Sequence, residues 1–80
     1  MATITLTNGP VGWKYHIHAS TVDQEGTFDS NGQATITVAA DFYAAMPQGI
    51  IWDDSTPSTG GGGMSLPRTI AAGQSYRVHI

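Results

Sequence analysis

The chain has 80 residues, no cysteine and a formal net charge of −3, and only 11 % of its residues are charged. This length predicts a single domain over residues 1–80 that buries about 60–65 % of its surface on folding. The cations Lys14, Arg68 and Arg77 are too few to neutralise a phosphate backbone, so we expect no nucleic-acid partner. We also expect neither a signal peptide nor a membrane partner, because no apolar run approaches ~18 residues.

The low charge content bears on the kind of function. Soluble domains commonly have about 25 % charged residues, more than twice the fraction found here. A small domain without disulfides or a structural metal needs another source of stability, such as oligomerisation or docking onto a partner. A free monomer of this size usually carries more charge for solubility. The composition therefore favours a surface that is partly covered by protein.

Two strands are predicted in the first 18 residues, and we expect them to form a hairpin across Gly9–Gly12. Threonines alternate with Ile4 and Leu6 in the first strand, which is the period-two pattern of a strand with one buried face. Large and polar residues alternate in the second strand, so that each kind lies on its own face. The large residues are Trp13, Tyr15 and Ile17, and the polar residues are Lys14, His16 and His18.

The next segment, Ala19–Gly26, is mostly polar and predicts a connection that contains an irregular edge strand. A turn follows at Ser30-Asn31-Gly32. A two-residue Asn-Gly loop would place Phe28 among the threonines of the following strand, whereas a three-residue loop places it opposite Ala34 on the apolar face. The three-residue loop also puts glycine at the left-handed position of a type I turn with a G1 bulge. We therefore predict the three-residue loop.

Residues 31–52 predict a turn, a strand, a short helix and a second strand. Ala34, Ile36 and Val38 alternate with threonines, after which four alanines and an acidic residue indicate a helix over about residues 40–46. The helix is expected to end at Pro47 and to pack its Phe42 and Met46 face on a sheet, because two turns of helix are unstable alone in water.

The remaining residues combine a flexible segment with the last strands. The Ser, Thr and Gly residues over 53–65 predict a flexible loop within the domain, since ordering them costs conformational entropy that no apolar burial offsets. Leu66–Ile70 is predicted as a short edge strand and Ala71–Gln74 as a turn. A final strand is predicted to bury Tyr76, Val78 and Ile80.

These elements predict a mainly β fold: a small antiparallel β-sandwich or partly open barrel of about six short strands with one short helix. We do not expect an enzyme, because the chain has no cysteine and no serine motif that places a nucleophile beside a base. The glycine run Gly60–Gly63 lacks the Lys-Ser/Thr of a phosphate-binding loop. The sequence gives no sign of a cofactor.

Three histidines are the candidates for a metal site. His16, His18 and His79 could meet around a metal only if the second strand neighbours the last strand. The alternative is that they are exposed polar positions on a half-buried sheet. Asp53-Asp54 likewise either binds a hard cation or solvates the start of the loop.

Aromatic residues offer a second class of function, because rings on a β scaffold can stack on sugars. Trp13, Tyr15 and Tyr76 fall on apolar strand faces and are predicted to belong to the core, whereas Trp52 is a candidate for an exposed ring. A small carbohydrate- or ligand-binding module is therefore the alternative function.

Two segments resemble known proteins. Residues 34–52, ATITVAADFYAAMPQGIIW, resemble a segment of small structural proteins of tailed bacteriophages and prophages, and residues 69–80, TIAAGQSYRVHI, are similar to the last hairpin of Ig-like β-sandwich modules. The resemblance implies a non-enzymatic virion component, made in the host cytoplasm, such as a capsid decoration (cement) or tail-associated protein. Its partners would be capsid or tail proteins or further copies of itself.

The interface of such a protein is predicted at the glycine-rich segment, which would become ordered by pairing its backbone with a neighbouring chain. If that segment is a passive connector, the binding surface is predicted on the polar face of Lys14, His16, His18, Arg77 and His79. The predicted interface comprises Trp52, Asp53, Asp54, Gly60, Gly61, Gly62, Gly63 and Leu66.

Overall fold

The computed structural model describes residues 1–55, 57–58 and 60–79, and its fold is mainly β, as predicted. Strands alone make up the regular structure of these residues. Their bounds are β1 (Ala2–Thr7), β2 (Lys14–Ala19), β3 (Val22–Thr27), β4 (Ala34–Val38), β5 (Tyr43–Ala45), β6 (Gln48–Trp52), β7 (Gly61–Gly63), β8 (Thr69–Ala71) and β9 (Ser75–Arg77).

The strands form three small sheets. A four-stranded antiparallel sheet has the order β3-β2-β6-β7, and a three-stranded sheet has the order β4-β1-β9, in which β9 runs parallel to β1. The third sheet is the antiparallel pair β5-β8. Side chains from all three sheets meet in one hydrophobic core.

The core follows the period-two pattern read from the sequence. Ile4 and Leu6 of β1 are fully buried, as are Ile17 of β2 and Ile36 of β4, while the threonines between them face outward or lie at the boundary. Burying one such side chain contributes about 1.5–3 kcal/mol, so these alternating positions fix which face of each strand turns inward. The core prediction for the aromatics is confirmed: Tyr15 is buried, and Trp13 and Tyr76 pack partly buried against the core.

The predicted β1–β2 hairpin is wrong. β1 pairs with β4 and β9, whereas β2 pairs with β3 and β6 in the other sheet. The chain crosses between sheets at residues 8–13 and crosses back at residues 28–33, and these two crossings lie side by side. Gly9 N donates to Gly32 O at 2.9 Å, and Phe28 N donates to Trp13 O at 2.9 Å. Contacts between segments distant in sequence therefore take the place of a local hairpin.

The three-residue turn Ser30-Asn31-Gly32 is confirmed. Gly32 has a φ of 73°, and Gly32 N donates to Asp29 O at 2.9 Å, which closes the turn. The Asp29 carboxylate accepts hydrogen bonds from Asn31 N and Gln33 N, as an Asx turn does. Phe28 is buried, as the three-residue loop requires, but the flanking strands β3 and β4 enter different sheets.

The predicted helix over residues 40–46 is wrong. A single turn at Ala40-Asp41, closed by Phe42 N donating to Ala39 O at 3.1 Å, leads into β5, which pairs with β8. Phe42 and Ala44 are buried while Tyr43 and Met46 are exposed, so the spacing is that of a strand. Alanine gains only tenths of a kcal/mol in a helix, and a helix this short has a costly nucleus, so pairing with β8 prevails.

The C-terminal part combines confirmed and corrected predictions. The predicted edge strand overlaps β8, and the predicted turn is present, with Gly73 at a φ of 80°. The polar connection Ala19–Gly26 contains a regular edge strand, β3. Gly61–Gly63 form β7 within the predicted loop, although the mobility of residues 53–65 stays a prediction. The last strand ends at Arg77, and the predicted burial of Ile80 lies outside the described residues.

Candidate docking edge

The four-stranded sheet presents one exposed face, which we call the outer face. Because alternate side chains of a strand point to opposite sides, the inward positions of β2 and β6 join the core and the others point out. The outer-face residues are Asp23, Glu25 and Thr27 of β3, Lys14, His16 and His18 of β2, Gln48, Ile50 and Trp52 of β6, and Gly61 and Gly63 of β7.

The strand register arranges these residues in rows across the sheet. One row runs from β3 to β7 and consists of the acidic Glu25, the basic His16, the apolar Ile50 and Gly63, which has no side chain. Ile50 is 52 % exposed, a large fraction for an isoleucine in a strand. The side of the sheet near β7 is therefore apolar and the side near β3 is charged.

Strand β7 is the open edge of this sheet. Asp53 N donates to Gly60 O at 2.9 Å and Met64 N donates to Gly49 O at 2.8 Å, so residue pairs at every second position exchange hydrogen bonds between β6 and β7. This alternation places Gly62 toward Ile51 and turns the N–H and C=O groups of Gly61 and Gly63 away from the sheet. Within the described part of the chain, these outward groups meet no hydrogen-bond partner.

Gly61 and Gly63 leave a trough on the outer face, which we call the glycine trough. A Cβ atom placed on Gly63 would meet nothing within 4 Å, whereas one placed on Gly61 would lie 2.9 Å from Ile51 O and 3.1 Å from Trp52 Cβ. Ile50 and Trp52 border this trough on the β6 side, since they lie opposite Gly63 and Gly61. The floor of the trough is therefore backbone, and apolar side chains border it on the β6 side.

An open groove of about 450 Å³ continues the outer face beyond the Gly63 end of β7. It is lined by His16, His18, Pro47, Gln48, Gly49, Ile50 and Met64. β7 ends at Gly63, while β6 begins at Gln48, so part of β6 has no strand beside it. Ile50 borders both the groove and the glycine trough.

The opposite edge of this sheet, β3, is protected, in contrast to β7. Two exposed acidic residues, Asp23 and Glu25, lie on β3, and charged side chains on an edge strand discourage pairing with another chain. Gln24 extends to β4, where its Nε2 donates to Thr37 O and its Oε1 accepts from Thr37 N at 3.3 Å. β7 has neither a charged residue nor a proline.

The charged side of the outer face contains a coupled pair. His16 Nε2 hydrogen-bonds to Asp23 Oδ1, and His16 Nδ1 lies 3.8 Å from Glu25 Oε1. The hydrogen bond to Asp23 raises the pKa of His16 above its ordinary value of 6.5, and the charges of Asp23 and Glu25 act in the same direction while desolvation opposes them. The same hydrogen bond lowers the pKa of Asp23 below 3.8.

The Gly61 end of β7 is acidic. Asp53 Oδ1 accepts a hydrogen bond from Ser55 N at 2.9 Å, and Asp53 O accepts one from Ser58 Oγ at 2.7 Å, which folds the chain back toward β7. The exposed Asp54 carboxylate lies 4.0 Å from Lys14 Nζ. The exposed Asp54 carboxylate therefore offers negative charge at this end.

The structure brings together much of the predicted interface. Most of its residues lie along the β6–β7 edge: Trp52, Asp53, Asp54 and Gly60–Gly63. Trp52 is partly exposed. Leu66 differs, because it packs partly buried against the core. The interface itself stays a prediction.

The alternative polar face is divided. Lys14, His16 and His18 share the outer face, but Arg77 belongs to β9 in the other sheet, and His79 pairs with Ser65. β2 does not neighbour β9, so the strand pairing required for a three-histidine metal site fails. Among the described residues, no group of three or more His, Cys, Asp or Glu side chains could hold a metal ion.

Ile50 is the site residue that the sequence reasoning missed. The signal was present in Gly49-Ile50-Ile51-Trp52, because two consecutive isoleucines in a strand cannot both face the same core. Ile51 is buried and Ile50 points out.

Comparisons with protein-family models, with curated proteins and with solved structures found no match to this chain. Across the residues that the structure describes, there is no helix with the length and hydrophobicity needed to span a bilayer.

Proposed function

We propose that this chain is a non-enzymatic structural module that assembles with protein partners by accepting an added strand at β7. The observation that carries the proposal is an open edge strand of three exposed glycines, in which Gly61 and Gly63 turn their backbone groups outward and which has no charge or proline of its own. Proteins usually protect such edges because they pair readily with other chains. An edge left open here favours a role in pairing.

The resemblance to tailed-phage structural proteins supports the biological setting of this proposal. In that setting the chain is a virion component, such as a capsid decoration or tail-associated protein, and the added strand comes from a capsid or tail protein or from another copy. Strand addition suits such a role because backbone hydrogen bonds hold the partner while alternate side chains give specificity.

Carbohydrate binding, the alternative function, has less support. It needs exposed aromatic rings that lie together. Trp13 and Tyr76 pack against the core and Trp52 is only partly exposed, while the exposed Tyr43 lies on β5, outside the four-stranded sheet.

A substitution at Gly63 tests strand addition, because the N–H of this residue points away from β6. Gly63→Pro removes that outward donor, and its ring blocks the edge, while the hydrogen bonds between Gly62 and Ile51 remain. Gly63→Ala is the matched control, since its Cβ enters open space and its N–H is kept.

The probe is an mRNA-displayed library of random nonapeptides selected on the unmodified protein. Peptides that bind by strand addition should bind Gly63→Ala with nearly unchanged affinity and lose about tenfold or more on Gly63→Pro, a difference of about 1.4 kcal/mol. Selected peptides that bind both variants equally, or a selection that yields no binder, would contradict the proposal.

A further inference from the structure

The glycine trough and the charges at its end indicate what kind of strand fits β7. The neighbouring strands of a sheet lie about 4.8 Å apart, so an added strand lies about 9.6 Å from β6, with only glycine backbone between them on the outer face. Small side chains on the added strand would leave Ile50 and Trp52 in water. Long or aromatic side chains can lean over the glycines and contact both residues.

A second copy of β7 is a poor fit to this surface. Paired with itself, β7 would place glycine beside glycine, and the trough would become twice as wide with its walls still exposed. A strand with bulky side chains is complementary in shape, because it supplies the volume that β7 lacks.

The Gly61 end of the trough adds a charge preference. The Asp54 side chain at this end is 64 % exposed, and its carboxylate lies 4.0 Å from Lys14 Nζ, at the outer limit of an ion pair. A basic residue on the added strand next to Asp54 is favoured, and an acidic residue there is disfavoured.

We propose that the partner of β7 is an extended segment of another protein that carries bulky apolar side chains at alternate positions, seated in the glycine trough, and a basic residue beside Asp54. This inference rests on strand addition at β7, and it names the chemistry of the added strand. Alternate positions of the segment face the trough, since side chains of a strand point to opposite sides in turn.

Double-mutant cycles with synthetic peptides test the apolar part. One peptide alternates threonine with phenylalanine at three positions and has lysine at both ends, and the second replaces each phenylalanine by alanine. Both are measured by fluorescence anisotropy on the unmodified protein and on Ile50→Thr, with Tyr43→Thr as the control, because Tyr43 is an exposed apolar residue outside this sheet.

The phenylalanine peptide should bind the unmodified protein more tightly than the alanine peptide. Ile50→Thr should reduce this preference by at least about threefold, while Tyr43→Thr leaves it unchanged. The preference is the ratio of the affinities of the two peptides for the same protein variant. A general loss of stability in Ile50→Thr lowers both affinities alike and leaves this ratio unchanged.

A second cycle tests the charge. Replacing both lysines of the phenylalanine peptide by glutamate should weaken binding, and Asp54→Asn should reduce that discrimination, with the exposed Asp41→Asn as the control. The effect of Asp54 should shrink at high salt, as for other exposed charges.

The outcomes separate this inference from the proposed function. If the two peptides bind equally well and lose binding to Gly63→Pro, strand addition stands and the trough inference is overturned. Concentration-dependent self-association that Gly63→Pro abolishes would also overturn it in favour of a second copy as partner. If neither peptide binds while the library yields binders sensitive to Gly63→Pro, the inferred chemistry is wrong and strand addition again stands.

Discussion

Gly32 should be one of the positions least tolerant of substitution, because two separate costs fall on it. Its φ of 73° lies in the left-handed region, where a residue with a Cβ is about 1–2 kcal/mol less stable. A Cβ at this position would also lie 2.6 Å from Gly9 O, at the point where the two crossings between sheets are hydrogen-bonded. Moving backbone to relieve such crowding typically costs a further ~1–3 kcal/mol.

Gly32→Ala is therefore expected to destabilise the protein by about 2–5 kcal/mol, a large part of the ~5 kcal/mol that is the lower end for a small domain. Gly73→Ala is the control, because Gly73 has a φ of 80° and a Cβ there would meet nothing within 4 Å. The control should cost only the left-handed backbone term of about 1–2 kcal/mol. Urea unfolding followed by tryptophan fluorescence measures both. Equal costs for the two variants would show that the crossings do not pack closely at Gly32.

Two further predictions concern β5 and the outer face. Met46→Asp should change the free energy of unfolding little, because Met46 is 72 % exposed. Phe42→Ala should cost about 3 kcal/mol or more, because it removes a buried ring. Thermal unfolding compares the two variants, and a large loss of stability in Met46→Asp would mean that this side chain is buried. The His16–Asp23 pair should contribute stability between about pH 4 and 6.5. Because folding raises the pKa of His16, the contribution of His16 is present below pH 6.5 and is lost as the pH rises through the folded-state pKa. Because folding lowers the pKa of Asp23, the contribution of Asp23 is present above pH 3.8 and is lost as the pH falls through the folded-state pKa. The stability difference between the unmodified protein and His16→Gln should accordingly be larger at pH 5 than at pH 8, and a difference that grows toward pH 8 would contradict the assigned pair.

The sequence predicted those features that depend on local spacing. Alternation at Ile4 and Leu6 and at Ile36 and Val38 identified the buried strand faces, because a period of two has a single structural meaning in a half-buried strand. The turn at Gly32 followed from the need for a left-handed residue and for a buried Phe28.

Features that depend on distant partners could not be predicted in this way. The alanines of residues 39–46 favour a helix locally, and only pairing with β8 makes them a strand. The crossing at Gly9 looks like a hairpin until the segment around Phe28 is placed beside it. Glycine has no strand preference of its own, so β7 exists only through its ladder with β6, and the candidate site could be predicted as a segment but not as an edge.

Amide hydrogen exchange at the three glycines of β7, measured by NMR, tests strand addition most directly. In the free protein, Gly62 should exchange slowly because its N–H points to Ile51, while Gly61 and Gly63 should exchange fast because their N–H groups point away from the sheet. A peptide selected from the displayed library should slow exchange at Gly61 and Gly63 by about tenfold or more and leave Gly62 little changed. Fast exchange at all three glycines in the free protein, or bound peptide that leaves Gly61 and Gly63 unprotected, would contradict an open edge that accepts a strand.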